Sequence, residues 1–282
     1  MTDKFRPVAR PRFDPFDIAT ALLLAALAVL VAFTYGDYAV SNDEGVQQHY
    51  GELIIRYYTS GFTDRALFTF DNLFLYGGLF DVMATLIAKV LPFDLYSIRH
   101  VLSAMTGIGG IAATWATARM IAGPRAGLIA AAMLALTGVW YGGMFNHTKD
   151  VTFAAAMIGA TFMLLRLARD LPRPRFADVA FFGLLLGAAL GLRALGLLLL
   201  LHIAATVLLE ASNRRLSSTG ARALFVCRSL VALSPGLLIG YLLMIAAWPW
   251  ASLDLFNPVR AIFAFSHFQY PIKTLIAGHV YE

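Results

Sequence analysis

The feature that most constrains this chain is the repeated return of long runs without a charged residue. Ile18 to Tyr35, Val101 to Ala118, Ala126 to Asn146, Val151 to Leu165 and Ser229 to Leu253 are such runs. Most are near the roughly 20 residues a helix needs to cross hydrocarbon. A spanning barrel would alternate apolar and polar residues instead. With 59% hydrophobic and 14% charged residues and a mean hydropathy of +0.71, the chain reads as an all-α polytopic membrane protein.

Charge then orders the runs. A net charge of +5 could suggest nucleic acid, but the basic residues sort as topology signals, so no nucleic-acid partner is expected. Lys4, Arg6, Arg10 and Arg12 precede the first run. That run is too long for most signal peptides and no small-x-small cleavage site follows, so it reads as a retained span behind a cytoplasmic N-terminus of residues 1–16. Three further clusters, Arg119 and Arg125, Arg166 to Arg175, and Arg214 to Arg228, place most of the 22 Lys and Arg on the same side. Cys227 is the only cysteine, which excludes an intrachain disulfide.

Two segments are ambiguous. Asn72 to Leu91 is apolar enough to cross, but a crossing would put the Arg119 cluster on the wrong side, and Asp81 and Lys89 suit an interfacial helix. Val179 to Leu209 is interrupted only by Arg193. As one helix it would run about 46 Å at 1.5 Å per residue, so a hairpin with Arg193 at its outer tip is expected. About seven spans result, near 17–35, 99–120, 125–145, 151–168, 176–192, 194–210 and 228–249, or eight if 72–91 crosses. Trp248 and Trp250 are expected in an interfacial aromatic belt, and His202 as a helix-packing residue.

The ionisable oddities fall on one face. Asp43 and Glu44 follow the first span directly, in Ser41-Asn42-Asp43-Glu44. This is also a capping-box pattern, so a purely structural reading competes with a catalytic one. His147-Thr148-Lys149-Asp150 fills a short turn on the same side. A solvated loop needs such residues anyway, yet together they can bind phosphate or complete a metal site with Asp43. Arg99 and His100 open a span there, as interfacial anchors or phosphate ligands. Arg193, between apolar stretches, is costly unless it snorkels or meets an anion such as a lipid phosphate. Asp71, Tyr76 and Asp81 add polar groups along the interfacial stretch.

An outer Asp-Glu pair after the first span, the stretch Asp71-Asn72-Leu73 through Tyr76-Gly77-Gly78-Leu79-Phe80-Asp81, Arg99-His100 opening a span and Lys149-Asp150 in a later turn together resemble the family 39 type of GT-C glycosyltransferases. These are the relatives of protein O-mannosyltransferases and of the lipid A aminoarabinose transferase. The resemblance implies a GT-C fold over residues 17–282, truncated at the C-terminus, in the inner (plasma) membrane of a bacterial cell. It implies a polyprenyl-phosphate-linked sugar as donor, a lipid, glycan or protein acceptor, and inverting transfer outside the membrane. Carried over by position, Asp43 is the general base and Glu44 orients the site or shares a metal. Lys149, Arg99 and Arg193 hold the donor phosphate. His147 and Asp150, with Asp71, Tyr76, Asp81 and His100, support it. No cofactor is certain; a divalent metal on Asp43, Glu44 and His147 is the one candidate. The chain departs from the family where Asp71-Asn72 stand in place of a Lys-Pro-Pro or His-Pro-Pro. A membrane transporter and a noncatalytic lipid-binding or assembly subunit are the alternative readings, although a transporter should carry its charges near midplane, in inverted halves.

Overall fold

The computed structural model describes residues 14–214, 216, 218–266 and 274–281. Lys4, Arg6, Arg10, Arg12 and Arg215, counted above among the topology signals, lie outside them. Helix α1 (Pro15–Thr34) starts where Asp14 accepts a hydrogen bond from the Phe16 amide at 2.9 Å and Pro15 supplies a preset first turn. Helix α2 (Asn42–Thr59) follows, then two single 3₁₀ turns and α3 (Leu79–Ala88). Helix α4 (Leu95–Ala122) is capped by Asp94 through the Ser97 amide at 3.0 Å and ends at Gly123, whose φ of 90° halts it. Pro124 opens α5 (Pro124–Ala135), and α6 (Gly138–Asn146), α7 (Thr148–Asp170) and α8 (Phe176–Leu190) come next. A 3₁₀ turn leads into α9 (Leu198–Asn213), followed by α10 (Thr219–Ala247), α11 (Pro249–Leu253) and α12 (Asn257–Ser266). Two three-residue strands, β1 (Thr274–Ile276) and β2 (His279–Tyr281), pair antiparallel with Leu275 opposite Val280.

Five stretches, α1, α4, α7, α9 with the 3₁₀ turn before it, and α10, are long and apolar enough to cross a membrane, and the α5–α6 pair would make a sixth. The expected third span is therefore not straight. The pair bends by 64°, because Thr137 turns extended before Gly138 while its hydroxyl bonds back to the Met133 carbonyl at 2.7 Å. The expected fifth span is α8, an apolar helix of only 15 residues. It packs on α10 through glycines: a Cβ on Gly183 would stand 2.4 Å from the Gly236 carbonyl. Such close backbone approach is how helices associate where lipid removes the hydrophobic drive.

Helix ends expected on one side do meet. At one face the His100 ring reaches the Tyr35 carbonyl (3.2 Å), Asn146 donates to the Ala39 carbonyl (3.3 Å), and Arg193 pairs with Asp150. At the other, Arg119 grips Asp17 with two bonds of 2.7 Å and Arg166 pairs with Asp178 at 3.2 Å. The ten residues of α3 span only about 15 Å, and the helix lies at the first face. Asn72 to Leu91 thus contains no helix long enough to cross. The hairpin expected from Val179 to Leu209 is also present, with Gly191, Leu192 and Arg193 at its tip.

Two expectations need correction. Trp248 is fully buried, its indole donating to the Phe74 carbonyl at 2.7 Å, and Trp250 is half-buried against the Phe74 ring, so neither forms a lipid-facing belt. His202 is exposed, because the buried stripe of α9 runs Leu199, Ile203, Val207, Ala211 at three- and four-residue spacing and misses it.

Candidate active site

Helix α2 sorts its side chains by helical period. The Glu44 carboxylate reaches back to the Ser41 amide at 2.8 Å, forming the capping box. Glu44 is fully buried. Asp43, about 100° around the helix, is exposed and makes no side-chain hydrogen bond or ion pair. The adjacent carboxylates thus have different environments. One turn on, Gln47 follows the Asp43 side and Gln48 the Glu44 side.

Beneath Asp43 lies a buried polar layer centred on Arg99, whose side chain is 0% exposed. Its Nη2 meets Asp81 Oδ1 at 3.0 Å and its Nη1 meets Gln48 Oε1 at 3.1 Å, while Gln47 and Thr148 oxygens lie 3.4 Å from Nη2. Glu44 Oε1 is 3.8 Å from Arg99 Nε and 3.3 Å from His100 Nε2. His100 therefore presents both ring nitrogens to acceptors, Glu44 and the Tyr35 carbonyl, an arrangement that an imidazolium satisfies with two donors. Burial pushes the Glu44 carboxyl up, but the bonds from His100 and the Ser41 amide outweigh it and hold the group below its usual value. Burial also pushes Asp81 up, against the pull of Lys149 and Arg99.

Lys149 stands at the edge of this layer. Its ammonium is 3.8 Å from Asp81 Oδ2, 4.8 Å from the Tyr76 ring centre and 5.8 Å from that of Tyr50. It is buried and has no hydrogen-bond partner. Arg193 covers the same Tyr76 ring at 5.6 Å and pairs with Asp150. Burial raises the Tyr76 hydroxyl above its ordinary value; Arg193 opposes this, and Asp150 and Asp43 add to it. Asp43, Tyr76, Lys149, Asp150 and Arg193 therefore share one mouth. Its roof is bolted by main chain: Gly78 N donates to the Ala247 carbonyl and Leu79 N to the Gly191 carbonyl, both at 3.0 Å. A Cβ on Gly77 would stand 1.9 Å from the Gly191 oxygen. The glycines after Tyr76 permit this contact.

Below the mouth, a cavity of about 410 Å³ runs between α3, α4, α7 and α8. Phe80, Leu102, Gly109, Thr152, Leu185 and Leu192 are among its almost entirely apolar walls. It touches the polar layer from beneath. The Phe80 ring lies 5.1 Å under the Arg99 guanidinium, Thr152 bonds to the Thr148 carbonyl, and Leu192 precedes Arg193. Met83 and Phe181, which also line it, are exposed.

Over residues 79–264 the chain matches the model of the dolichyl-phosphate-mannose-protein mannosyltransferase family. The chain belongs to that family. It is a membrane glycosyltransferase of the GT-C type. No curated protein and no solved structure matches it. The matched region holds Asp81, Arg99, His100, Lys149, Asp150 and Arg193, and begins after Asp43 and Glu44.

Within this mannosyltransferase-like site, several residues differ from their expected surroundings. Arg99 does not face the mouth: every acceptor around it is a protein group, so it is the keystone of the layer. Arg193 already has an anion, Asp150, which lies distant in sequence and close in the fold. His147 and Asp71 are exposed and their side chains make no hydrogen bond or ion pair. Of the trio Asp43, Glu44 and His147, Glu44 is engaged by Arg99 and His100, and no group of three His, Cys, Asp or Glu side chains suited to a metal is gathered among the described residues. Sequence reasoning passed over Gln47, Gln48, Tyr50 and Thr85. Their signal was helical spacing: Gln47 and Gln48 stand four residues after Asp43 and Glu44, and Gln48 donates to Thr85 at 2.9 Å.

Proposed function

We propose that the protein transfers a sugar from a polyprenyl-phosphate donor to a hydroxyl or amine of a lipid, glycan or protein acceptor, on the extracytoplasmic side of the membrane and with inversion. The observation that carries this is the Lys149 ammonium, buried without a hydrogen bond among the described residues and one helical turn before Thr152, which lines the apolar cavity. The layer supports it by charge. Three basic groups, Arg99, His100 and Lys149, are ion-paired with two carboxylates, Glu44 and Asp81, and Asp43 acts on Lys149 from the mouth. A buried ammonium held by one long ion pair and no hydrogen bond is incompletely compensated. A phosphate at the mouth with its prenyl chain in the cavity satisfies both features.

In this reading Asp43, exposed and unpaired, takes the proton from the acceptor nucleophile. The nucleophile attacks the anomeric carbon from the face opposite the phosphate, and the bond from that carbon to the phosphate oxygen breaks. Lys149 and Arg193 hold the charge that grows on the departing phosphate, where fixed cations in a dry site are most effective. Arg99, His100, Glu44 and Asp81 keep those groups in place. The test is purified protein supplied with a radiolabelled polyprenyl-phosphate sugar and a hydroxyl-bearing acceptor, beside Lys149→Met. Transfer that the substitution abolishes is expected. Binding without transfer would point to an assembly subunit, and neither binding nor transfer would overturn the reading.

A further inference from the structure

The two sides of this mouth are carried by α2 and α7. Gln47 lies one turn along α2 from Asp43, and Thr148 immediately precedes Lys149 in the first turn of α7. The Thr148 hydroxyl donates to Gln47 Oε1 at 2.8 Å, and Arg99 Nη2 approaches the same oxygen at 3.4 Å. Among the described residues this is the only side-chain hydrogen bond between α2 and α7. The remaining tie is the looser approach of Lys149 to the Tyr50 ring. Thr148 is 1% exposed, and its neighbour Thr152 bonds to its carbonyl, so the hydroxyl is held in a packed turn.

We infer that Gln47 is a positioning residue, whose amide oxygen sets the separation of Asp43 from Lys149 by holding Thr148. The inference rests on the proposed function, in which Asp43 meets the acceptor and Lys149 the donor phosphate. For two groups acting on opposite sides of one carbon, their separation enters the rate directly, and a misplacement of about 1 Å can cost 10²-fold. An oxygen between two donors is suited to this, because it accepts both bonds.

A double-mutant cycle tests the idea. Gln47→Leu and Thr148→Val each remove one partner of the bond. Each should lower kcat by at least tenfold while donor KM and thermal midpoint stay near the starting values, and the double variant should be no slower than the slower single one. Gln47→Glu, which keeps the acceptor oxygen, should recover most of the rate. Multiplicative losses, or a Gln47→Leu enzyme within threefold of wild type, would overturn the assignment. A second reading does not depend on activity: spin labels on cysteines at the exposed positions Asn42 and His147, in a Cys227→Ala background, report the spacing of the two turns. Gln47→Leu should broaden that distance distribution, and an unchanged one would reject the inference. If the wild type transfers no sugar, the proposed function fails on its own, and the distance measurement still decides the role of Gln47.

Discussion

Asp43 and Glu44 are adjacent carboxylates that should respond in opposite ways to the same chemical change. Asp43→Asn removes a proton acceptor from an exposed side chain that makes no hydrogen bond or ion pair among the described residues, so no such contact is lost, and Asn suits a first helical turn. Its cost falls on the reaction. Losing a general base slows transfer by 10² to 10⁴, roughly 3 to 5 kcal/mol of barrier. Glu44→Gln keeps the shape, and its carbonyl can still accept from the Ser41 amide. It removes the charge facing Arg99 at 3.8 Å and His100 at 3.3 Å in a site with no exposure. Breaking a buried pair costs about 3 to 5 kcal/mol. Because Arg99 retains Asp81 at 3.0 Å, the lower end applies, enough to lower the melting temperature by several degrees. The assay pairs a thermal-shift measurement in detergent with initial rates of label transfer. An Asp43→Asn protein that turns over within threefold of wild type, or a Glu44→Gln protein as stable as wild type, would refute this division of labour.

Other consequences are as direct. A Cβ on Gly109 meets nothing within 4 Å, and the position lines the cavity, so Gly109→Leu should fold normally and raise the donor KM at least tenfold; an unchanged KM would mean the prenyl chain lies elsewhere. Arg193→Leu should weaken donor binding at least tenfold, about 1.4 kcal/mol, whereas unchanged affinity would leave the arginine only the task of holding Asp150. Glu44 is held below its ordinary value near 4.5, so its contribution to stability is complete above that pH and is lost as pH falls through the depressed folded value. An acid-unfolding curve should therefore steepen below pH 4.5 in the wild type and flatten in Glu44→Gln.

The spans could be read because lipid leaves a chain few choices: long uncharged runs, and basic clusters at alternate ends, were enough to place the α8–α9 hairpin and keep α3 from crossing. The bend at Thr137 was less visible, since one threonine beside a glycine inside an apolar run looks like any other. The site divided in the same way. That Asp43, Tyr76, Lys149, Asp150 and Arg193 share one mouth follows from the parity of the crossings. That Asp150 lies against Arg193, or that Arg99 is enclosed, depends on how neighbouring helices are rotated, which single-chain spacing does not encode. Trp248 misled for a related reason: a tryptophan near a span end fits an aromatic belt equally well when it is packed inward against a loop carbonyl.

The main-chain bolts at Gly78 and Leu79 also determine which way traffic can pass. A lid held by side chains could be loosened by exchanging one residue, or could swing on a loop. This one joins the hairpin tip and the end of α10 through peptide groups, with no room for even a methyl at Gly77. For a donor that is lipid-borne, as proposed, the way in would be the exposed flank between Met83 and Phe181, and the spent carrier would leave by the same side. Turnover on such a path answers to how quickly neighbouring lipids make way, so bilayer viscosity becomes a kinetic variable even when every residue of the chemistry is untouched.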